Sequence, residues 1–109
     1  MFLSNFLKHR NKEDGVSIAI SAPAWFKGES YPDLFPTWDM VMFYKRTGNE
    51  KIYRELYYQD ILANLDPNKV VLDLTGKYIL CWEKKGEFCH RNLVAEWIFD
   101  NTGIKIIER

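Results

Sequence analysis

Tyr78-Ile-Leu-Cys-Trp-Glu-Lys-Lys-Gly-Glu-Phe-Cys-His-Arg91 is the stretch on which the fold turns. Its first five residues, Tyr78 to Trp82, are almost continuously apolar, the pattern of a central strand buried on both faces. Glu83 to Glu87 is a charged turn around Gly86. Cys89 to Asn101 then carries Leu93, Val94, Trp97 and Ile98 at helical spacing, and Gly103 stops the helix. Ile104-Lys-Ile-Ile107 reads as the last strand. Strands joined through a helix favour a parallel sheet with right-handed crossovers.

Reading towards the N-terminus adds to this frame. Asp66-Pro67 opens a helix, with Asp as N-cap and Pro at its first position, and Val70, Val71 and Leu74 form its apolar side up to Gly76. Thr47-Gly-Asn-Glu50 has the form of a capping box, opening a helix with Ile52, Leu56 and Tyr53, Tyr57 as paired stripes that ends near Leu65. Thr37 caps an earlier helix, expected to turn Trp38, Val41 and Met42 inward. Ser21 to Pro36 holds three prolines and the aromatics Trp25, Phe26, Tyr31 and Phe35 without periodicity. It is a long loop of the kind that either carries function or plugs a core edge. Val16 to Ile20 reads as a strand, with the small residues Ser17, Ala19 and Ser21 on its other face. His9 to Asp14 is a charged turn in which His9 is expected to be solvated, and Met1 to Leu7 is either a short helix or an arm packed on the body. The expectation is one domain over residues 1–109: a small three-layer α/β domain, with a mostly parallel sheet of about three to four strands flanked by helices.

Composition sets the outer bounds. Hydrophobic residues make up 47% of the 109, too many for a disordered chain. Fifteen basic residues cancel fifteen acidic ones, which argues against a general polyanion binder but leaves room for a local anion pocket. Two cysteines are too few for a secreted disulfide scaffold. No apolar run approaches the ~20 residues of a membrane span. The apolar N-terminus lacks the basic region and cleavage site of a signal peptide. A cytoplasmic location with no membrane partner is therefore expected.

In a parallel sheet, ligands bind at the carboxyl edge of the strands. Two strand ends bring interesting residues there: Ser21 and the aromatic loop from the first, and Cys81 and Glu83 from the second, close to Cys89-His90-Arg91 at a helix start. Helix amides and an arginine fork suit phosphate or carboxylate, and the same field favours a thiolate at Cys89. The bland alternative pairs Arg91 with Glu87 or Glu96, gives His90 a backbone carbonyl and buries Cys89 as a small hydrophobe. Glu83, partly buried, suits general acid/base work, whereas Glu96 is expected to pair with a cation. Zinc on Cys81, Cys89 and His90, with Glu83 as fourth ligand, is disfavoured. The chain has no paired-cysteine knuckle, and adjacent helical residues point about 100° apart. No metal or cofactor is expected. Thiol redox chemistry between Cys81 and Cys89 would need Cα atoms within ~7 Å.

The stretch from Tyr78 to Trp97 resembles the C-terminal signature of the bacterial and phage domain-of-unknown-function four-eight-eight family. The resemblance rests on Leu80-Cys81-x-Glu83 at a strand end and Cys89-His90-Arg91 opening a helix. Ser17-Ile18 through Leu34-x-Pro36 is similar, more loosely, to a short branch of that family. The resemblance implies an α/β fold and no settled activity. Longer members carry a Thr-x-Gly-His-Ser strand end where this chain has Ile18-Ala-Ile-Ser21, without Gly or His. The compact length would suit a phage-encoded protein.

The function expected from all this is binding of, or action on, a phosphate-bearing nucleotide or nucleic-acid component. Arg91, Ser21, Trp25, Tyr31 and Cys81 would hold the ligand, and Glu83, His90 and Cys89 would supply any catalysis. The alternative is a non-enzymatic, phage-type protein that sequesters a nucleotide or blocks a host protein. Trp25, Tyr31 and Phe35 exposed in one patch would favour the latter.

Overall fold

A computed structural model describes residues 1–10 and 12–109. Asn11, inside the charged turn read over His9 to Asp14, lies outside the described residues. Five strands form one sheet: β1 (Phe2–Asn5), β2 (Gly15–Ser17), β3 (Glu29–Ser30), β4 (Tyr78–Cys81) and β5 (Ile107–Glu108). Their order is β3-β2-β4-β1-β5 and every pairing is parallel. The helices are α1 (Trp38–Thr47), α2 (Glu50–Asp60), α3 (Pro67–Leu74) and α4 (His90–Thr102). The α/β class and the parallel sheet are as read from the sequence, with five strands in place of three to four.

The segment Met1 to Leu7, read as helix or arm, contributes the strand β1 between β4 and β5. Phe2, Leu3, Phe6 and Leu7 have helix-like spacing, but four residues cannot separate the two periods. Register decides instead. Leu3 stands opposite Ile79, and Val16 opposite Ile79 from the other side, so all three point to one face. There they share a single core with Met40, Tyr57, Val70, Leu74, Val94 and Ile98 from the four helices. Leu80 points to the opposite face, which Phe6 and Ala19 line and Trp25 and Phe26 cover. Thus the helices pack on one face and aromatic loop segments close the other, in place of a second helical layer.

Local chemistry explains the element ends. The Ser17 hydroxyl bonds the Ala19 backbone at 3.3 Å, which turns the chain away and stops β2 at Ser17, short of the expected Ile20. Asn49, not Thr47, caps α2 through its bond from the Ile52 amide, while Gly48 ends α1 in a left-handed conformation. Asp66 caps α3 with Pro67 in its first turn, as expected. On α1 the inward residue is Met40. Trp38 and Met42, expected inside, are more than half exposed. Gly103 ends α4 as expected, but β5 forms only at Ile107, once Ile106 has returned to the core. No helix among the described residues is long and apolar enough to cross a membrane.

Candidate functional site

Parallel pairing delivers the ends of β2 and β4 to one edge, where α4 begins. A cleft of about 580 Å³ opens there. Ser21, Cys81, Glu83, Cys89 and His90 all line it, as the sequence reading required. Five aromatic side chains form much of the rest of its wall: Trp38 and Tyr44 of α1, Tyr53 of α2, and Phe88 and Trp82 from the segment after β4. Tyr44, Tyr53 and Phe88 pack as a cluster with ring centroids 5.3–5.6 Å apart. Lys45 is the cation among the lining residues.

At the floor of the cleft, Cys89 is the N-cap of α4, with extended φ −153° and ψ 153°, and does not belong to the helix proper. This removes the 100° divergence assumed for two helical neighbours. The Cys89 sulfur lies 3.6 Å from His90 Nδ1. His90 Nε2 sits 2.7 Å from the Ile18 carbonyl. A carbonyl can only accept, so Nε2 carries the proton and Nδ1 keeps its lone pair on the side of the Cys89 sulfur. Burial lowers the His90 pKa to about 4. The Ile18 carbonyl opposes that shift and the Arg91 charge adds to it, so the ring is neutral near pH 7. The sulfurs of Cys81 and Cys89 meet as a disulfide across Cα atoms 7.5 Å apart. Glu83 Oε2 stands 3.4 Å from the Cys81 sulfur. Burial first, then the Glu83 charge, raises the Tyr53 phenol pKa well above its ordinary value.

Three expected ligand-binding residues lie elsewhere. Arg91 is wholly buried, and its guanidinium is committed within the protein. Nε and Nη2 donate to Glu108 Oε1 at 3.0 and 2.7 Å, Nη2 also to the Lys84 carbonyl at 3.1 Å, and Nη1 to the Cys81 sulfur at 2.7 Å. It ties β5, the turn after β4 and the end of β4 together and does not face the cleft. The reading that paired it with Glu87 or Glu96 had the principle right and the partner wrong. Glu96 pairs with Arg54. Trp25 packs on the far sheet face under Arg10, 4.5 Å from its ring, because Phe6 and Phe26 offer it an apolar bed there. Tyr31 donates to Asp73 of α3. His9, expected in solvent, is buried, stacked on Tyr78 at 4.1 Å and bonded to Asp14 at 2.6 Å.

Sequence reasoning did not single out Glu108, Lys45, Trp38, Tyr44 or Phe88 for this region. The only sequence signal was the recurrence of aromatics along the helical segments, which equally marks a core. Set against known protein families, curated proteins and solved structures, the chain matches none of them.

Proposed function

We propose that this cleft binds a phosphate-bearing ligand with a planar ring system, a nucleotide or a nucleic-acid component. The observation that carries the reading is an aromatic-walled cleft at the carboxyl edge of a parallel sheet, with one lysine on its rim and a helix N-terminus at its floor. Rings stack bases without sequence preference, each worth about 1–3 kcal/mol. Lys45 and the positive end of the α4 dipole favour phosphate. Lys45 thereby takes the part first given to Arg91, whose donors are spent on Glu108. Glu83 and the His90 Nδ1 lone pair are the acid/base groups within reach should the bound molecule react. The reading also keeps, as proposals, kinship with the domain-of-unknown-function four-eight-eight family and a place in the reducing cytoplasm of a bacterium or phage-infected cell.

Thermal unfolding across a panel of nucleotides and cyclic dinucleotides tests it. A ligand at a hundred times its Kd stabilises by about 2.7 kcal/mol, an upward shift in Tm that is easily read. Trp38→Ala and Lys45→Glu, both at exposed positions, should abolish that shift while leaving the unliganded Tm close to wild type. No shift with any member of the panel would refute the proposal. It would then favour a second reading, a protein partner seated on Trp38, Met42 and Trp82, each more than half exposed.

A further inference from the structure

We infer that Cys81, Cys89 and His90 form a binding site for one divalent ion of the zinc class, with its fourth coordination position open to the cleft beside Glu83. The inference goes beyond the ligand reading and does not depend on it. The two sulfurs and a ring nitrogen of His90 all lie within 4.8 Å of one another, on three buried residues. A tetrahedral ion with bonds of about 2.3 Å to sulfur and about 2.0–2.1 Å to nitrogen sets those ligands about 3.6 Å apart. Cys89 Sγ and His90 Nδ1 stand at 3.6 Å. Glu83 Oε2, 3.4 Å from Cys81 Sγ, is close to the corresponding sulfur–oxygen edge.

The surroundings are those of a ligand set. A metal-bound histidine usually donates its second nitrogen to a carbonyl or carboxylate, which fixes the tautomer and aims the lone pair. The Ile18 carbonyl does this for His90. Arg91 Nη1 donates to the Cys81 sulfur, as a donor to a metal thiolate would. Two thiolates and a divalent cation cancel, which a buried position demands. Soft sulfur with imidazole selects zinc-class ions over magnesium or calcium. In the structure the same two sulfurs are joined to each other, so the ion belongs to the reduced form, in which they part to make room for it. However, the Cα atoms are 7.5 Å apart, beyond the roughly 4.4–6.8 Å that a disulfide spans. An ion between the sulfurs takes up the extra length. The ligands come from a strand end and a helix N-cap, so no knuckle announces them in the sequence.

The test uses the full chain, purified anaerobically under thiol reductant, stripped of metal and titrated with Co²⁺. Binding releases both thiol protons to solvent as the two Co–S bonds form. The expected result is thiolate-to-cobalt charge-transfer absorption with strong tetrahedral visible bands, saturating at one ion per chain and displaced by Zn²⁺. Cys89→Ser should halve the charge-transfer intensity, and His90→Gln should weaken binding by about tenfold or more while the sulfur bands persist. If either variant fails to fold, the wild-type titration decides alone. Reduced wild-type protein that is folded by circular dichroism, yet shows no charge transfer and takes up no Zn²⁺, overturns the proposal. So does an intact mass two units low under reductant, which marks a disulfide. The nucleotide panel is not involved, so failure here and failure there are separate results.

Discussion

Replacing Glu108 by Gln should harm this protein more than removing the arginine it neutralises. Arg91 is fully excluded from water, whereas the Glu108 side chain keeps 18% of its exposure at the sheet edge. With Glu108→Gln the guanidinium stays buried with a neutral partner. Uncompensated buried charges of this kind cost about 3–5 kcal/mol. Arg91→Met removes the buried charge itself and leaves a carboxylate that can rehydrate in place, at a cost of about 1–3 kcal/mol in lost hydrogen bonds. At about 4 °C per kcal/mol for a chain of this size, the first change lowers Tm by about 12–20 °C and the second by about 4–12 °C. The double variant should resemble Arg91→Met alone, because removing Glu108 costs little once the cation is gone. Guanidinium midpoints and calorimetry on reduced protein measure all three. Glu108→Gln within about 1 kcal/mol of wild type, or Arg91→Met costing more than Glu108→Gln, would refute the claim that Arg91 is held as a structural clamp.

Three further outcomes follow from particular contacts. A Cβ on Gly28 would come within 2.6 Å of the Phe26 ring and 2.8 Å of the Gly15 carbonyl, so Gly28→Ala should cost about 1–3 kcal/mol by chemical denaturation. Asn49→Ala should lose about 1 kcal/mol as the true cap of α2, and Thr47→Ala less, since Thr47 mainly bonds the Phe43 carbonyl and the Asn49 amide; equal losses would restore the capping-box reading. Burial, then the neighbouring Tyr53, holds the Tyr57 phenol pKa well above 10. The folded chain therefore keeps that proton while the unfolded chain releases it above about pH 10. The stability this gives is whole below the unfolded pKa and falls as pH rises past it, by about 1.4 kcal/mol per unit for this one group. Denaturation midpoints at about pH 9 and pH 11 should converge in Tyr57→Phe relative to wild type, and an equal drop in both proteins would contradict the assignment.

The helices were legible because each is long enough to show its period and two of them carry a plain terminal signal: Asp66 with Pro67 opens α3, and Gly103 stops α4. β4 was legible because both of its faces are covered, Ile79 by the helix-side core and Leu80 and Cys81 by the opposite cluster, which leaves no polar alternation. β1 was not. Four residues that send Leu3 to one face and Ser4 to the other fit a helix as well as a strand, and only pairing with Tyr78–Cys81 settles which. The inward face of α1 was misread because Trp38 and Met42 are large and apolar, and apolarity alone does not distinguish the core from the wall of a cleft.

The site was legible in proportion to how far each residue's role is set by the backbone. Ser21, Cys81, Glu83, Cys89 and His90 reach one cleft because parallel strands and a helix N-terminus place them there whatever their neighbours do. Arg91 has a long side chain, and its destination depended on a residue seventeen positions away, on a strand whose register the sequence does not reveal. Once β5 carries Glu108 to the sheet edge, the guanidinium finds a largely shielded counter-charge with two hydrogen bonds to it. An exposed phosphate must compete for the same fork from high-dielectric solvent. The partner within the fold wins, and the fork then spends its remaining nitrogen on the Cys81 sulfur. The arginine therefore acts on the floor of the cleft from behind: it sets the charge beside Cys81 and leaves the open side to Lys45, the rings and the His90 lone pair.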